Sequence, residues 1–284
     1  MKLNGFSINQ IIALALREDI GAGDITTLSI IPKSKMSEAF IVSREEAVVS
    51  GLDVAKKVFQ KVHSKINFKP LVREGQSITA NTKVAWIKGK TQAILTAERV
   101  ALNFLSHLSA IATKTRYFVK AVHPFKVKIM DTRKTTPGLR ELERKAVRCG
   151  GGTNHRFNLE DVLIKDNHLQ ARQNDLSIKA IIELARHKTK RPIEIEVDNL
   201  DHFKKAIKAN PDIILLDNMS LADIRKAVGL KKEYRHGQHI KLEVSGNINI
   251  PTVRAVARTG VDRISIGALT HTRKAVDFSL ELVS

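Results

Sequence analysis

The sequence predicts an α/β fold: an incomplete α/β barrel of about six parallel strands, preceded by a small α+β unit built on an antiparallel sheet. Three observations lead there. From about residue 125 onward, apolar strand-like runs alternate with helical segments, a pattern that calls for a parallel sheet. Nearly every one of those runs ends in polar residues or glycine, as strands do at the carboxyl rim of a barrel. A doubly wound open sheet would confine such ends to one switch point. The first hundred residues lack this alternation and carry short β-branched patterns instead.

Taken in order, Ile8, Ile11, Ile12, Leu14 and Leu16 behind Ser7 read as a capped amphipathic helix over 7–18. Segments 38–43, 45–50, 70–73 and 82–88 read as strands broken by Gly, Asn and Lys. Residues 92–122, without proline or glycine, form one long helix. The barrel strands are expected at 127–131, 161–165, 193–197, 212–217, 240–245 and 262–267. Helices are expected between them near 138–149, 175–188, 200–209, 220–229 and 251–259. The domains implied are 1–110 and 111–271, with 272–284 packing back on the first.

The net charge of +19 raises nucleic-acid binding, since a strongly basic domain attracts phosphate backbones. However, the lysines are scattered as on solvated helix faces, and aromatics are only 5% of the chain, without the interleaved stacking residues of single-strand binders. A basic surface with an anion-binding cleft fits better than a specific nucleic-acid interface. The apolar runs fall short of the roughly 18–20 residues needed to span a bilayer. Cys149 is the single cysteine, so no intrachain disulfide forms, which fits a reducing, cytoplasmic setting.

The chemistry concentrates at strand ends. Asp131-Thr132-Arg133-Lys134-Thr135-Thr136-Pro137-Gly138 places two adjacent cations beside hydroxyls and a turn. Arg148-Cys149-Gly150-Gly151-Gly152-Thr153-Asn154-His155-Arg156 follows, its glycines allowing a sharp turn or close backbone approach. Next comes Lys165-Asp166-Asn167-His168. Alternation in Ile193-Glu194-Ile195-Glu196-Val197 puts Glu194 and Glu196 on one face. Asp217, after four apolar residues, is either a helix N-cap or a functional group. Two such carboxylates suffice for Mg²⁺ when diphosphate and water complete its shell. Ser245-Gly246-Asn247 and Ser265-Ile266-Gly267 lead from strands into helices, where backbone N–H groups can hold a phosphate. Zinc-ligand spacing and a Walker A sequence are absent.

Through Glu18-Asp19-Ile20-Gly21, Gly23-Asp24-Ile25-Thr26, Glu98-Arg99-Val100-Ala101-Leu102-Asn103, Arg133, His155-Arg156, Lys165-Asp166-Asn167-His168, Ser245-Gly246 and Gly267, the sequence closely resembles the quinolinate phosphoribosyltransferase family. The resemblance covers nearly the whole chain, and it implies an α+β sandwich for the N-terminal unit. It implies transfer of phosphoribosyl from phosphoribosyl diphosphate to quinolinate with loss of CO₂, in de novo NAD biosynthesis, with Mg²⁺ as cofactor. It also implies a homodimer whose sites draw on both subunits, Arg99 reaching across. Thr132, Arg133, His155, Arg156 and Lys165 would hold the two quinolinate carboxylates. Lys134, Lys165, Glu196 and Asp217 would serve phosphoribosyl diphosphate and Mg²⁺, the two carboxylates binding either metal or ribose hydroxyls. Ser245, Gly246, Asn247, Ser265, Gly267 and His271 would meet phosphate. The family often has glycine at position 247, so a side-chain role for Asn247 would be new. The alternatives are a relative of the same fold with another substrate, such as the molybdenum-associated paralogues, and a non-catalytic nucleic-acid-binding protein.

Overall fold

The structure, a computed structural model, describes residues 7–172, 175–271 and 274–283. It divides into two compact units, one of Met1–Arg116, Lys134–Gly151 and Ala268–Ser284, the other of Tyr117–Arg133 and Gly152–Gly267. Lys134–Gly151, which chain order assigns to the barrel, thus groups with the first unit.

The first unit opens on the helix Ile8–Ile20. Ser7 caps it by accepting from the Gln10 backbone N–H, while the Gln10 side chain accepts from the Ser7 N–H, the reciprocal arrangement of a capping box. Strands β1 (Met36–Ser43), β2 (Ala47–Val48), β3 (Asn67–Pro70), β4 (Ser77–Ile78) and β5 (Lys83–Lys90) follow. A last strand, Phe278–Leu282, returns from the far end of the chain and pairs antiparallel with β1, Ala39 opposite Leu282 and Ser43 opposite Phe278. The sheet thus orders as Phe278–Leu282, β1, β5, β3, all antiparallel. Its period-2 pattern buries Ala39, Ile41, Ala85 and Ile87. Val54, Ala55, Val58 and Phe59 of the helix Leu52–Val62 are also fully buried. At roughly 1.5–3 kcal/mol for each large side chain removed from water, such burial holds the unit together.

Three local readings need correction. The strand expected at 45–50 shrinks to Ala47–Val48, paired only with the short β4. The strand expected at 70–73 lies at Asn67–Pro70. Leu52–Val62 is a helix that the strand-oriented reading passes over: its valines suggest β, but their spacing lays one apolar stripe along a helix.

The second unit contains β6 (Lys128–Met130), β7 (Val162–Ile164), β8 (Ile193–Val197), β9 (Ile213–Asp217), β10 (Lys241–Ser245) and β11 (Arg263–Ser265), which makes the returning strand β12. The order β6-β11-β10-β9-β8-β7 is parallel throughout. The first strand pairs with the last, and no ladder joins β6 to β7. This is an incomplete six-stranded barrel, open at one seam.

The chain itself enters that seam. Thr153 forms a parallel bridge to Met130, its N–H donating to the Ile129 carbonyl at 2.8 Å and its carbonyl accepting from the Asp131 N–H at 3.2 Å. The glycine run delivers it there. Gly151 adopts φ +91°, in the left-handed region that favours glycine. A Cβ on Gly150 would lie 2.5 Å from both the Ala112 carbonyl oxygen and Thr115 Cβ. These glycines therefore serve a turn and a close packing against the helix Thr91–Ala121.

Candidate active site

In the second unit, residues at the carboxyl ends of neighbouring strands come together as expected. Lys165 follows β7, and its ammonium lies 3.7 Å from the Glu196 carboxylate near the end of β8. Burial raises Glu196 above the ordinary glutamate value; Lys165 opposes this, while Asp217 at the end of β9 adds to it. Thus Lys165, Glu196 and Asp217 share one field. Two half-buried carboxylates that repel each other beside a single ammonium favour a further cation, and hard oxygen donors of this kind suit Mg²⁺.

Arg133 and Arg156 approach from the seam. Burial and the neighbouring Arg133 guanidinium lower the pKa of Arg156, whereas Glu194, Asp161 and Glu196 act against that shift. Two guanidiniums close enough to repel are costly unless an anion joins them. Arg156 also donates to the Asp161 carbonyl at 3.4 Å. Both arginines are half-buried, so each can reach a ligand. Thr132 is half-buried in the same loop.

His155 takes a different position. Its Nε2 lies 3.2 Å from Glu194 and 3.1 Å from Glu243. Burial disfavours its charge, but hydrogen bonds and Coulombic attraction from the two carboxylates outweigh that and push it up to about 10. Sequence reasoning put His155 against a substrate carboxylate; the structure turns this face of its ring toward two internal glutamates. Since its folded value lies above the 6.5 of a free imidazole, the stabilisation is complete below that pH and lost as pH rises through about 10. An alkaline unfolding titration is expected to show a loss of stability over that window in the native chain, absent from His155→Gln.

The rim beyond β9 and β10 is built from left-handed residues: Asn218 at φ +51°, Gly246 at +98° and Asn247 at +50°. The Asn218 N–H donates to the Ser245 carbonyl at 2.9 Å. The Asn247 amide donates to Asn218 Oδ1 at 3.2 Å, and the Asn218 amide to the Asp217 carboxylate at 2.9 Å. Asn247 thereby acquires a side-chain role that glycine would lack: it ties the β10 loop to the one carrying Asp217. Ser245 and Gly267 are half-buried and Ser265 is buried at their strand ends.

The remaining expected residues belong to the first unit. Arg99 is exposed on the helix Thr91–Ala121, beside a half-buried Glu98 whose pKa is raised by burial. Lys134 is exposed and its carbonyl accepts from the Thr270 hydroxyl at 2.5 Å. His271 is exposed at the end of Ala268–His271. Sequence reasoning missed the buried carboxylates Glu243 and Glu194 as partners of His155, and Asp131 as the anchor of the loop before Arg156. The available signal was a carboxylate amid apolar residues in a strand buried on both faces, as in Leu242-Glu243-Val244.

Comparison with known proteins follows the same lines. Residues 24–109 match the model of the quinolinate phosphoribosyl transferase N-terminal domain, and 111–281 that of its C-terminal domain. The chain is 41% identical over 271 residues to a probable nicotinate-nucleotide pyrophosphorylase (carboxylating) of Synechocystis, covering 94% of this chain and 90% of that protein. It is 36% identical to the Bacillus subtilis protein of the same name, covering 99% and 95%. The solved nicotinate-nucleotide pyrophosphorylase of Francisella tularensis superposes with a TM-score of 0.89 at 39% identity, covering 100% and 99%. Cations at the seam, paired carboxylates at the rim and full-length similarity agree: the chain belongs to the quinolinate phosphoribosyl transferase family.

Proposed function

We infer that this chain transfers phosphoribosyl from phosphoribosyl diphosphate to quinolinate with decarboxylation, giving nicotinate mononucleotide, diphosphate and CO₂. The observation that carries this reading is the mutual field of Arg133 and Arg156, continued through Glu196 to Lys165 and Asp217. Such a cluster suits a doubly anionic ring laid beside an activated sugar. Each charge-assisted hydrogen bond to a carboxylate contributes on the order of 1.5–3 kcal/mol, so a dianion is favoured over the monoanion nicotinate.

Arg133, Arg156 and Lys165, with Thr132, hold the ring so that its nitrogen faces the ribose C1. The nitrogen lone pair forms the N–C1 bond as the C1–O bond to diphosphate breaks, and Lys134 neutralises the departing anion. Glu196 and Asp217 offset the positive charge that develops on the sugar. Bound at those carboxylates, Mg²⁺ would supply further neutralisation of diphosphate. The new pyridinium then accepts the electron pair of the adjacent C–C bond as CO₂ leaves, and the ring carbon takes a proton. Ser245, Gly246, Asn247, Ser265 and Gly267, with His271, receive the 5′-phosphate. We place this reaction in the cytoplasm. Among the described residues no helix is long and apolar enough to cross a membrane.

The test is an assay of the purified chain with quinolinate, phosphoribosyl diphosphate and Mg²⁺. Equal yields of CO₂, diphosphate and nicotinate mononucleotide are expected; transfer without CO₂ release contradicts the reading.

The site is further proposed to be shared between two subunits, with Arg99 donated by the partner. Its exposure on a long helix supports this. Inactive Arg99→Ala and Arg133→Ala chains, mixed under conditions of proven subunit exchange, should recover about a quarter of the native activity, because half the dimers are mixed and each carries one intact site. No recovery argues for sites within single chains.

A further inference from the structure

The second unit contains a buried polar cluster around His155, Glu194 and Glu243. Glu243 lies mid-strand in β10, is 0% exposed, and among the described residues its carboxylate meets His155 Nε2 at 3.1 Å. Glu194, on β8, is 5% exposed. Both face His155 Nε2, and Arg263 on β11 stands 3.7 Å from Glu243. Buried carboxylates of this kind are costly unless neutralised. With an imidazolium and a guanidinium against two carboxylates, the charges close.

The cluster sits beneath the loop that carries Arg156. Asp131, 0% exposed at the end of β6, accepts from the Asn154 amide and from the His155 N–H, each at 2.6 Å. The backbone of residues 154–155 is thus fixed to β6, while the side chain of His155 reaches across to β8 and β10. Arg156 is the next residue, and its guanidinium departs from a backbone anchored immediately before it. A cavity of about 270 Å³ borders the cluster, lined among others by His155, Arg156, Glu194 and Arg263.

We propose that Glu243 and Glu194 are positioning residues for quinolinate recognition: by clamping His155 inside the barrel they set the loop that aims Arg156 at a substrate carboxylate. The proposal rests on the functional reading above. The same three side chains, whose donor atoms lie within 4.8 Å of one another, could instead ligate a divalent cation. Charge closure by His155 and Arg263 favours the clamp, because a metal would need the imidazole neutral.

The experiment is a double-mutant cycle of Glu243→Gln and His155→Gln in the full chain. The double variant removes one buried cation and one buried anion together, so it keeps the interior balanced and folded even where Glu243→Gln alone does not. Glu194→Gln serves as a second single variant. Quinolinate KM should rise about tenfold in each single variant, the order expected for one displaced charge-assisted hydrogen bond. The double variant should be no worse than the poorer single, and KM for phosphoribosyl diphosphate should stay within about twofold of native. Unchanged quinolinate KM in the folded variants, or additive losses, overturns the clamp. So does a stoichiometric divalent metal in the native protein that Glu243→Gln abolishes. If the native chain turns over no quinolinate, the functional reading fails by itself. The coupling of residues 155 and 243 in denaturant unfolding then still decides the clamp: strong coupling supports it, and none overturns it.

Discussion

Arg156→Ala is expected to lower kcat/KM for quinolinate by a factor on the order of 10²–10⁴, the loss of two charge-assisted hydrogen bonds to one carboxylate. Arg133→Ala should do the same. The physical reason lies in how the two arginines are arranged. Burial and the neighbouring Arg133 lower the pKa of Arg156, against the pull of Glu194, Asp161 and Glu196, so the two guanidiniums share one field. Either substitution takes away one of those guanidiniums. The substrate dianion then meets one cation where it had two. Most of the loss should appear in KM for quinolinate and little in KM for phosphoribosyl diphosphate. Near-native kcat/KM in either variant would remove both arginines from the pocket.

The second large effect is expected at Gly246. With φ at +98°, a Cβ there would fall 2.1 Å from Asn218 Oδ1 and 3.0 Å from the Asn218 nitrogen. Gly246→Ala therefore has to move the β9 rim loop, which carries Asp217 and receives the amide of Asn247. Strain in the left-handed region adds about 1–2 kcal/mol. The expected result is a rise in KM for phosphoribosyl diphosphate on the order of tenfold or more, with quinolinate recognition by Arg133 and Arg156 far less affected. Initial-rate kinetics with each substrate varied in turn separate the two. An equal loss for both substrates would show that the loop does not serve the phosphate side alone.

Much of this was legible in the sequence because the barrel strands are nearly continuous apolar runs, as strands buried on both faces must be. Ile193–Val197 coincides with its expected span, and Ile213–Asp217 and Lys241–Ser245 each start one residue later than expected. The seam was not legible. Periodicity says that a strand exists but not which strand lies beside it, so the pairing of β6 with β11 and the entry of Thr153 into the gap come only from the folded chain. The sequence leads one to expect that 272–284 packs back on the first domain, but that β12 pairs with β1, more than two hundred residues earlier, comes only from the fold. The site divides in the same way. Arg133, Arg156, Lys165, Glu196 and Asp217 stand at strand ends or in the loops beside them, where polar residues attract notice. Glu194 and Glu243 lie inside strands, where a carboxylate reads as a solvent-facing residue unless both faces are known to be covered. His155 beside Arg156 looked like one more cation of the pocket; the fold adds that its Nε2 faces Glu194 and Glu243.

The most direct measurement offers quinolinate and nicotinate together, at equal concentration, to the purified chain with phosphoribosyl diphosphate and Mg²⁺, and follows the loss of each acid. If positive groups from the seam and the rim converge on a doubly charged ring, quinolinate disappears with matching CO₂ while nicotinate persists. Consumption of nicotinate at a comparable rate would contradict that arrangement.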